Sequence, residues 1–327
     1  MKKKRNNNRE VLALVLLAVF LLAVMGVSLL LGSVFLPPEQ LFQNEIFWQI
    51  RLPRVVLAAL VGLLLSVSGV LLQGILRNPL ADPYILGISA GAALGAAASI
   101  ALGAQFLVLG MSTVPAAAFV FSLAAVLIVY KLSKVAGRTA PETLILAGVA
   151  LSAFCAAILS LIIIISGNLA TIYFWLLGSL SSATWGNVLT VTPYALTGIA
   201  IAYFYSKELN ALLLGEEMAA SLGVEVENTR LFLIGTASLM AAAAVSVSGL
   251  IGFVGLIVPH WIRLIIGPKH RLLIPVSALS GMLLMVVADA VARTVLSPLE
   301  IPIGIVMALV GAPFFLYLLR RRKLKGK

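Results

Sequence analysis

The chain has 327 residues, of which 61% are hydrophobic and 11% are charged, and its mean hydropathy is +1.12. This composition excludes a water-soluble globular protein of ordinary make-up. The net charge of +11 could suit a nucleic-acid partner, but the basic residues stand in short blocks between apolar runs. A membrane topology accounts for those blocks better, so we predict an all-α polytopic protein in a lipid bilayer and no nucleic-acid partner.

The apolar stretches predict ten transmembrane helices, because a helix rises about 1.5 Å per residue and the hydrocarbon is about 30 Å thick. Basic residues precede the first stretch as in a signal peptide, but this stretch is too long and lacks a small-residue cleavage pattern. No linker or repeat divides the chain, so we expect a single domain, 1–327. The predicted spans are 11–34, 54–76, 84–104, 107–131, 142–166, 188–206, 229–249, 252–267, 273–294 and 302–320.

Lysine and arginine positions predict the orientation of these spans. With the N-terminus inside, all but three of the 23 basic residues lie on or near the cytoplasmic face, in agreement with the positive-inside rule. Both termini are then cytoplasmic, with a basic N-terminus at 1–10 and a basic tail at 320–327. The exceptions, which fall outside, are Arg51, Arg54 and Arg293.

A tight cytoplasmic turn joins the second and third spans. Two prolines there stop one helix and prepare the next, so we predict a rigid inner turn. Its defining residues are Asn78, Pro79, Asp82 and Pro83.

The cytoplasmic loop 207–228 contains the stretch Gly215–Gly223, which predicts a short helix in water. Glu216 and Glu217 suit the positive end of a helix dipole, Ala219 favours helix, and Gly223 is a natural stop. The small residues would let another protein approach closely, so we interpret this helix as a docking element whose movement the flanking spans pass on. The alternative is an ordinary solvated loop helix.

Several kinds of chemistry are missing from the sequence. There is no G-x-x-x-x-G-K-[ST] loop, so any ATP must be bound by another subunit. We find no catalytic or metal-binding arrangement, and the single cysteine, Cys155, is interpreted as a small buried hydrophobe. Asp289 and the group from Pro259 to Arg263 are the main ionisable residues within spans, too few for a proton or sodium relay. Asp289 also stands four residues before Arg293, a spacing that allows an ion pair.

Motifs from about residue 50 to the end together resemble the FecCD family, the permeases of type II ABC importers for ferric siderophores, haem and vitamin B12. Each motif is weak alone, but their order is specific. They are Arg51-Leu52-Pro53-Arg54, Gln73-Gly74, Asn78-Pro79-Leu80-Ala81-Asp82-Pro83, Gly87-x-Ser89-x-Gly91, Leu146-Ala147-Gly148-Val149, Trp175-x-x-Gly178-Ser179-Leu180, Gly215-x-x-x-Ala219-x-x-Leu222-Gly223, Gly249-x-Ile251-x-Phe253-Val254-Gly255-Leu256, Pro259-His260-x-x-Arg263, Asp289-x-x-Ala292-Arg293, Glu300-Ile301-Pro302-x-Gly304 and Gly311-Ala312-Pro313-x-Phe315.

The resemblance implies a ten-helix permease without ATPase activity of its own, in the cytoplasmic (inner) membrane of a bacterium. Its implied partners are cytoplasmic ABC ATPase subunits that use ATP and Mg²⁺, a second permease copy or related permease, and an extracytoplasmic substrate-binding protein. Spans five and ten would line the path. The chain itself would bind no cofactor.

The resemblance also implies roles for two groups of residues. The coupling helix that rests on the ATPase matches Gly215, Glu216, Ala219, Leu222 and Gly223. Outer arginines that meet glutamates of the binding protein match Arg51, Arg54 and Arg293; the alternative for them is an interaction with lipid phosphates. We therefore expect import of a ferric siderophore. Cobalamin or haem would be an alternative cargo, and a stand-alone secondary transporter is the alternative from another class.

Overall fold

The computed structural model describes residues 2–32, 43–103, 107–108, 111–135, 138–139 and 141–325. A π-helical turn (Phe47–Arg51) precedes α2 and a 3₁₀ turn (Pro83–Leu86) precedes α3. Short antiparallel hairpins pair β1 (Leu107–Val108) with β2 (Met111–Ser112) and β3 (Lys134–Val135) with β4 (Arg138–Thr139). The helices within these ranges are α1 (Lys2–Leu30), α2 (Leu52–Ile75), α3 (Ile88–Ala101), α4 (Thr113–Ser133), α5 (Pro141–Ser166), α6 (Leu169–Leu176), α7 (Trp185–Phe204), α8 (Ser206–Leu212), α9 (Glu216–Ser221), α10 (Val226–Ser248), α11 (Val254–Ile266), α12 (His270–Thr294) and α13 (Ile303–Lys325).

The predicted all-α membrane architecture is confirmed. In the described part of the chain, seven helices are long and apolar enough to cross a membrane, and three more are apolar but shorter, at Ile88–Ala101, Val254–Ile266 and Ile303–Tyr317. The shorter helices stand where the third, eighth and tenth spans are expected, while the count of ten crossings and the orientation stay predictions. Met1, the predicted span ends at 33–34 and 104, and residues 326–327 lie outside the described residues.

Helix α2 is the centre of the fold. It is apolar on every face, nearly all of its residues are buried, and it packs against α7, α10, α11 and α12. Glycines make these crossings close: a Cβ atom at Gly62 would overlap the carbonyl oxygen of Gly281 on α12, and one at Gly69 would overlap that of Gly255 on α11. Such contacts between small residues are how helices associate where lipid removes the hydrophobic drive.

Helices α3 and α11 are short for a physical reason. With 14 and 13 residues they measure about 21 and 20 Å, less than the hydrocarbon thickness. Tyr84, in the turn before α3, donates a hydrogen bond from Oη to the carbonyl of Ile251 before α11, at 3.0 Å. In the predicted topology these two connections begin on opposite sides of the membrane. At least one of them therefore enters the bilayer, which leaves a shorter distance for the helix that follows it to cross.

Candidate functional site

Helix α9 forms at the place predicted for the cytoplasmic helix. Its flanking glycines have positive φ angles, 112° at Gly215 and 85° at Gly223, which side chains with a Cβ rarely adopt. The Leu222 amide donates back to the carbonyls of Met218 and Ala219, so the helix ends within one turn. The glycines thus set sharp limits on a six-residue helix between α8 and α10.

The two faces of α9 differ from the sequence interpretation. Ala219 is fully buried in a cluster with Ala211 and Leu212 of α8, so it packs the helix onto this chain. We had expected it to face a partner instead. The outward face carries apolar side chains instead: Leu214 is 65% exposed, Met218 53% and Leu222 61%. A groove of about 740 Å³, lined in part by Leu222 and α10, runs beside the helix.

Glu216 anchors α9 through charge. Its Oε1 accepts from Nη2 of Arg230 on α10 at 2.5 Å, and Nη2 of Arg77 lies 3.5 Å from the same oxygen. Arg230 also pairs with Glu227 at 3.3 Å, and its side chain is only 4% exposed. A largely desolvated guanidinium makes stronger ionic contacts than a solvated one, so this is the firmer of the two attachments of Glu216.

The inner turn is held by its own polar side chains. Oδ1 of Asn78 accepts from the Leu80 amide at 3.0 Å, and Oδ1 of Asp82 accepts from the Tyr84 amide at 2.9 Å. Burial raises the pKa of the Asp82 carboxyl to about 6, while the hydrogen bond from Tyr84 acts in the opposite direction. These bonds, with Pro79 and Pro83, give the rigid turn that the sequence predicts.

Gln73 connects the inner turn to α11. Its Nε2 donates to the carbonyls of Gly255 and Leu256 at 3.3 and 3.1 Å and lies 3.4 Å from that of Ala81. Its Oε1 accepts from Nη1 of Arg263 at 2.9 Å. Arg263, one of the few ionisable residues predicted within a span, is thereby engaged in packing the turn against α11.

Two of the three outer arginines, Arg54 and Arg293, pair with one buried carboxylate. Asp289 on α12 is fully buried, and its two oxygens pair with Nε of Arg54 at 2.8 Å and Nε of Arg293 at 3.1 Å. Arg54 also reaches Glu300 with Nη1 at 2.9 Å. The ion pair expected between Asp289 and Arg293 is confirmed.

Arg51 and Arg293 also hold the end of α1. Arg51 donates to the carbonyls of Leu29 and Leu30, and Arg293 to those of Ser28 and Leu31, at 2.8 to 3.1 Å. Cations suit the negative end of a helix dipole, so the contacts stabilise this end of α1. All three arginines are at least 93% buried here. Their docking role stays a prediction that requires these guanidinium groups to change partners.

An open cavity of about 610 Å³ lies between α4, α6, α7 and the end of α10. Its surface is mostly apolar, with hydroxyl groups and the amide of Asn187 beside Phe174 and Trp175, and none of the described residues that line it is ionisable. In the predicted topology it opens toward the outer face. Its chemistry fits an uncharged surface of mixed apolar and polar character on a ligand or partner. Among the described residues, no three His, Cys, Asp or Glu side chains are grouped to hold a metal ion.

Sequence reasoning missed several residues that organise this site. Arg77 and Arg230 were counted only as charges that obey the positive-inside rule, and Tyr84 only as the start of a span. Glu300 was noted only within a family motif. Tyr84 and Glu300 have partners 167 and 246 residues away, so no local pattern could have revealed those contacts. Arg230 is only 14 residues from Glu216 and three from Glu227, and its role was missed although these partners are near in sequence.

The helical arrangement and the short helix between α8 and α10 define a permease of the ABC importer class. A solved structure described as a metal-chelate type ABC transporter in an inward-facing conformation matches with a TM-score of 0.85 and 36% identity, covering 94% of this chain and 99% of that chain. The chain belongs to the FecCD transport family, whose model matches residues 14–321.

Two relatives show how the similarity extends. The cobalamin import system permease protein BtuC of Halobacterium salinarum is 48% identical over 85% of this chain and 74% of its own length. The Fe(3+)-citrate import system permease protein YfmD of Bacillus subtilis is 36% identical over 99% of this chain and 98% of its own length. Both are similar to this chain through most of the membrane domain.

Proposed function

We propose that this chain is the permease subunit of an ABC importer that carries a ferric siderophore across the cytoplasmic membrane of a bacterium. A separate ATPase subunit uses ATP and Mg²⁺, and the chain has no enzymatic site of its own. A second permease copy or a related permease completes the path, and an extracytoplasmic binding protein delivers the cargo. Membership of the FecCD family supports the assignment, and the relative named for Fe(3+)-citrate import supports iron as the cargo.

The observation that carries the proposal is the outward apolar face of α9. Leu214, Met218 and Leu222 are each more than half exposed on a stretch that the positive-inside rule places in the cytoplasm. An exposed apolar cluster with a polar surround is typical of a surface that another protein covers. Since Ala219 packs α9 against α8, a partner that binds the exposed face and moves α9 would also move the transmembrane helices connected to it.

A co-purification experiment tests the proposal. The tagged chain is purified with the ATPase encoded beside it, and the double variant Met218→Asp with Leu222→Asp is compared with Ser221→Asp, which adds a charge at an exposed polar position of the same helix. We expect the double variant to lose most of its bound ATPase and Ser221→Asp to keep it. Equal ATPase binding by wild type and double variant would contradict the docking role of α9.

Cobalamin is the second candidate cargo, because the relative with 48% identity is named as a cobalamin permease. The two candidate cargoes can be distinguished by uptake assays. These use cells that lack their own uptake permeases and express the chain with its native partners. Uptake of a labelled ferric hydroxamate but not of labelled cyanocobalamin is the expected result. The opposite selectivity would keep the importer and change its cargo, whereas uptake by the chain alone, without an ATPase, would favour a secondary transporter.

A further inference from the structure

Glu216 contacts the first residue of each of two separate stretches of chain. One begins at Arg77 and continues through the inner turn to Tyr84. The other begins at Arg230 and follows α10 to the segment Gly249–Phe253, which we call the helix break because it separates α10 from α11. Contacts of 3.5 and 2.5 Å between Glu216 and these arginines therefore connect α9 to both stretches.

The same two stretches meet again at their far ends. Oη of Tyr84 donates to the carbonyl of Ile251 at 3.0 Å and accepts from the amide of Ile251 at 3.2 Å. Ile251 is in the middle of the helix break. Glu216, the inner turn, Tyr84, the helix break and α10 thus form a closed circuit of contacts.

Both arms of the circuit are stiff. The inner turn is fixed by the side chains of Asn78 and Asp82 and by its prolines, as described above. The other arm is α10, a 23-residue helix about 34 Å long, most of whose residues are buried. Arms of this kind would pass a displacement at Glu216 along the circuit, most firmly through the buried Arg230.

The helix break is the part of the circuit between the two helices where the backbone leaves the helical conformation. Its ends have positive φ angles, 67° at Gly249 and 71° at Phe253, and the second is an unfavourable value for an aromatic residue. The break also adjoins other elements: a Cβ at Gly249 would meet the carbonyl of Trp175, and one at Gly311 of α13 would overlap the ring of Phe253. Movement of the break would thus shift its contacts with the end of α6 and with α13.

We propose that Glu216 and Tyr84 are positioning residues that transmit the displacement of α9 to the helix break. This inference rests on the proposed function, because it supposes that an ATPase moves α9. Two stretches that diverge from Glu216 and converge at Ile251 would shift the break when α9 tilts. The change in the break then alters its packing against α13 and so the path for the cargo.

The test is a double-mutant cycle in proteoliposomes that contain the complete transporter with its binding protein. Glu216→Gln, Tyr84→Phe and the double variant are compared for cargo transported per ATP hydrolysed. We expect each single variant to assemble with the ATPase and to lower this ratio by roughly 2- to 30-fold, the range of coupling effects from residues that touch neither ligand. The double variant should be no worse than the poorer single variant, because the two residues act in series.

Two conservative variants serve as matched controls. Glu217→Gln removes the same charge from an exposed neighbouring position on α9, and Tyr194→Phe removes a hydroxyl that makes no hydrogen bond with any described residue. Both should keep the wild-type ratio. Should Glu216→Gln fail to reach the membrane, Arg77→Gln breaks the circuit at its more exposed contact and takes its place in the cycle.

The outcomes separate the two proposals. Wild-type protein that shows no ATP-dependent uptake would overturn the proposed function and this inference with it. If the wild type is coupled, two results contradict the inference alone: an unchanged ratio in the single variants, or additive losses in the double variant. Loss of ATPase binding by Glu216→Gln would reassign that residue to docking.

Discussion

The buried cluster around Asp289 shows how single residues balance charge inside this fold. One fully buried carboxylate forms ion pairs with two guanidinium groups, and a more exposed carboxylate, Glu300, also pairs with Arg54. Burial makes each charge costly unless its partner is present. The ion pairs of the buried Asp289 therefore matter more to folding than the ion pair of the more exposed Glu300.

We expect Asp289→Ala to destabilise the protein by about 3–5 kcal/mol, because it leaves Arg54 and Arg293 buried without their shared acceptor. Glu300→Gln should cost under about 1 kcal/mol, since the Glu300 side chain is 38% exposed and water can replace it. Thermal unfolding in detergent measures both effects. A similar fall in melting temperature in the two variants would show that burial does not determine how much each carboxylate contributes to stability.

The same cluster sets a condition on the docking prediction. Arg51, Arg54 and Arg293 can pair with carboxylates of a binding protein only after leaving the contacts that they make here. Reversing all three charges would also break the fold, so it would not isolate docking. The informative residue is Glu300, which competes for Arg54 from an exposed position.

We predict that Glu300→Gln strengthens capture of the binding protein at low salt, because Arg54 loses an intramolecular competitor. The increase should disappear at high salt. Surface-captured transporter in nanodiscs, titrated with the binding protein, gives the affinity. An affinity equal to that of the wild type at every salt concentration would argue against a docking role for Arg54.

At the scale of elements, hydropathy located the helices well but overestimated the length of α3. Runs such as 142–166 and 273–294 coincide closely with α5 and α12. An uninterrupted apolar segment in lipid must satisfy its backbone hydrogen bonds internally, so it forms a helix. The predicted span 252–267 matches α11 to within two residues, but the predicted span 84–104 is much longer than α3. The late start of α3 accompanies a contact between two connections far apart in sequence, in which Tyr84 hydrogen-bonds to Ile251.

Helix crossings at glycine provide a sharp test of this packing. Gly62→Ala places a methyl group against the Gly281 carbonyl, so we expect a loss of about 1–3 kcal/mol from overpacking. Gly235→Ala is the matched control, because open space surrounds that helical position and alanine favours helix by about 1 kcal/mol. Thermal unfolding should move in opposite directions for the two. A stabilised Gly62→Ala would contradict the close crossing of α2 and α12.

For the whole molecule, orientation rests on the distribution of basic residues. The single cysteine makes it testable, since Cys155 is 94% buried within α5 and can be replaced to give a thiol-free background. In a Cys155→Ser background, Leu299→Cys should react with a membrane-impermeant maleimide in intact cells. Ser221→Cys should react only after the membrane is opened. The reverse pattern would invert the topology.

Sequence alone thus predicted the membrane class, the helical fold, the family and the place of the cytoplasmic helix. These depend on local composition or on motif order. It did not predict which way Ala219 faces, the two arginines that hold Glu216, or the burial of the outer arginines. Ala219 is turned inward by its contact with α8, Glu216 is held by arginines from the inner turn and from α10, and the outer arginines are buried where α1, α2 and α12 pack.

The capping of α1 by Arg293 also bears on biogenesis. Helix α1 is synthesised first, yet Arg293 follows Ser28 by 265 residues. At roughly 5–20 residues per second, the ribosome delivers that arginine about 13–53 seconds later. Until then α1 waits in the bilayer without α12, its main packing partner. If translation stopped before α12 was made, α1 would lack both its contact with Arg293 and its packing against α12. We expect such a truncated chain to be degraded by the quality-control proteases of the membrane.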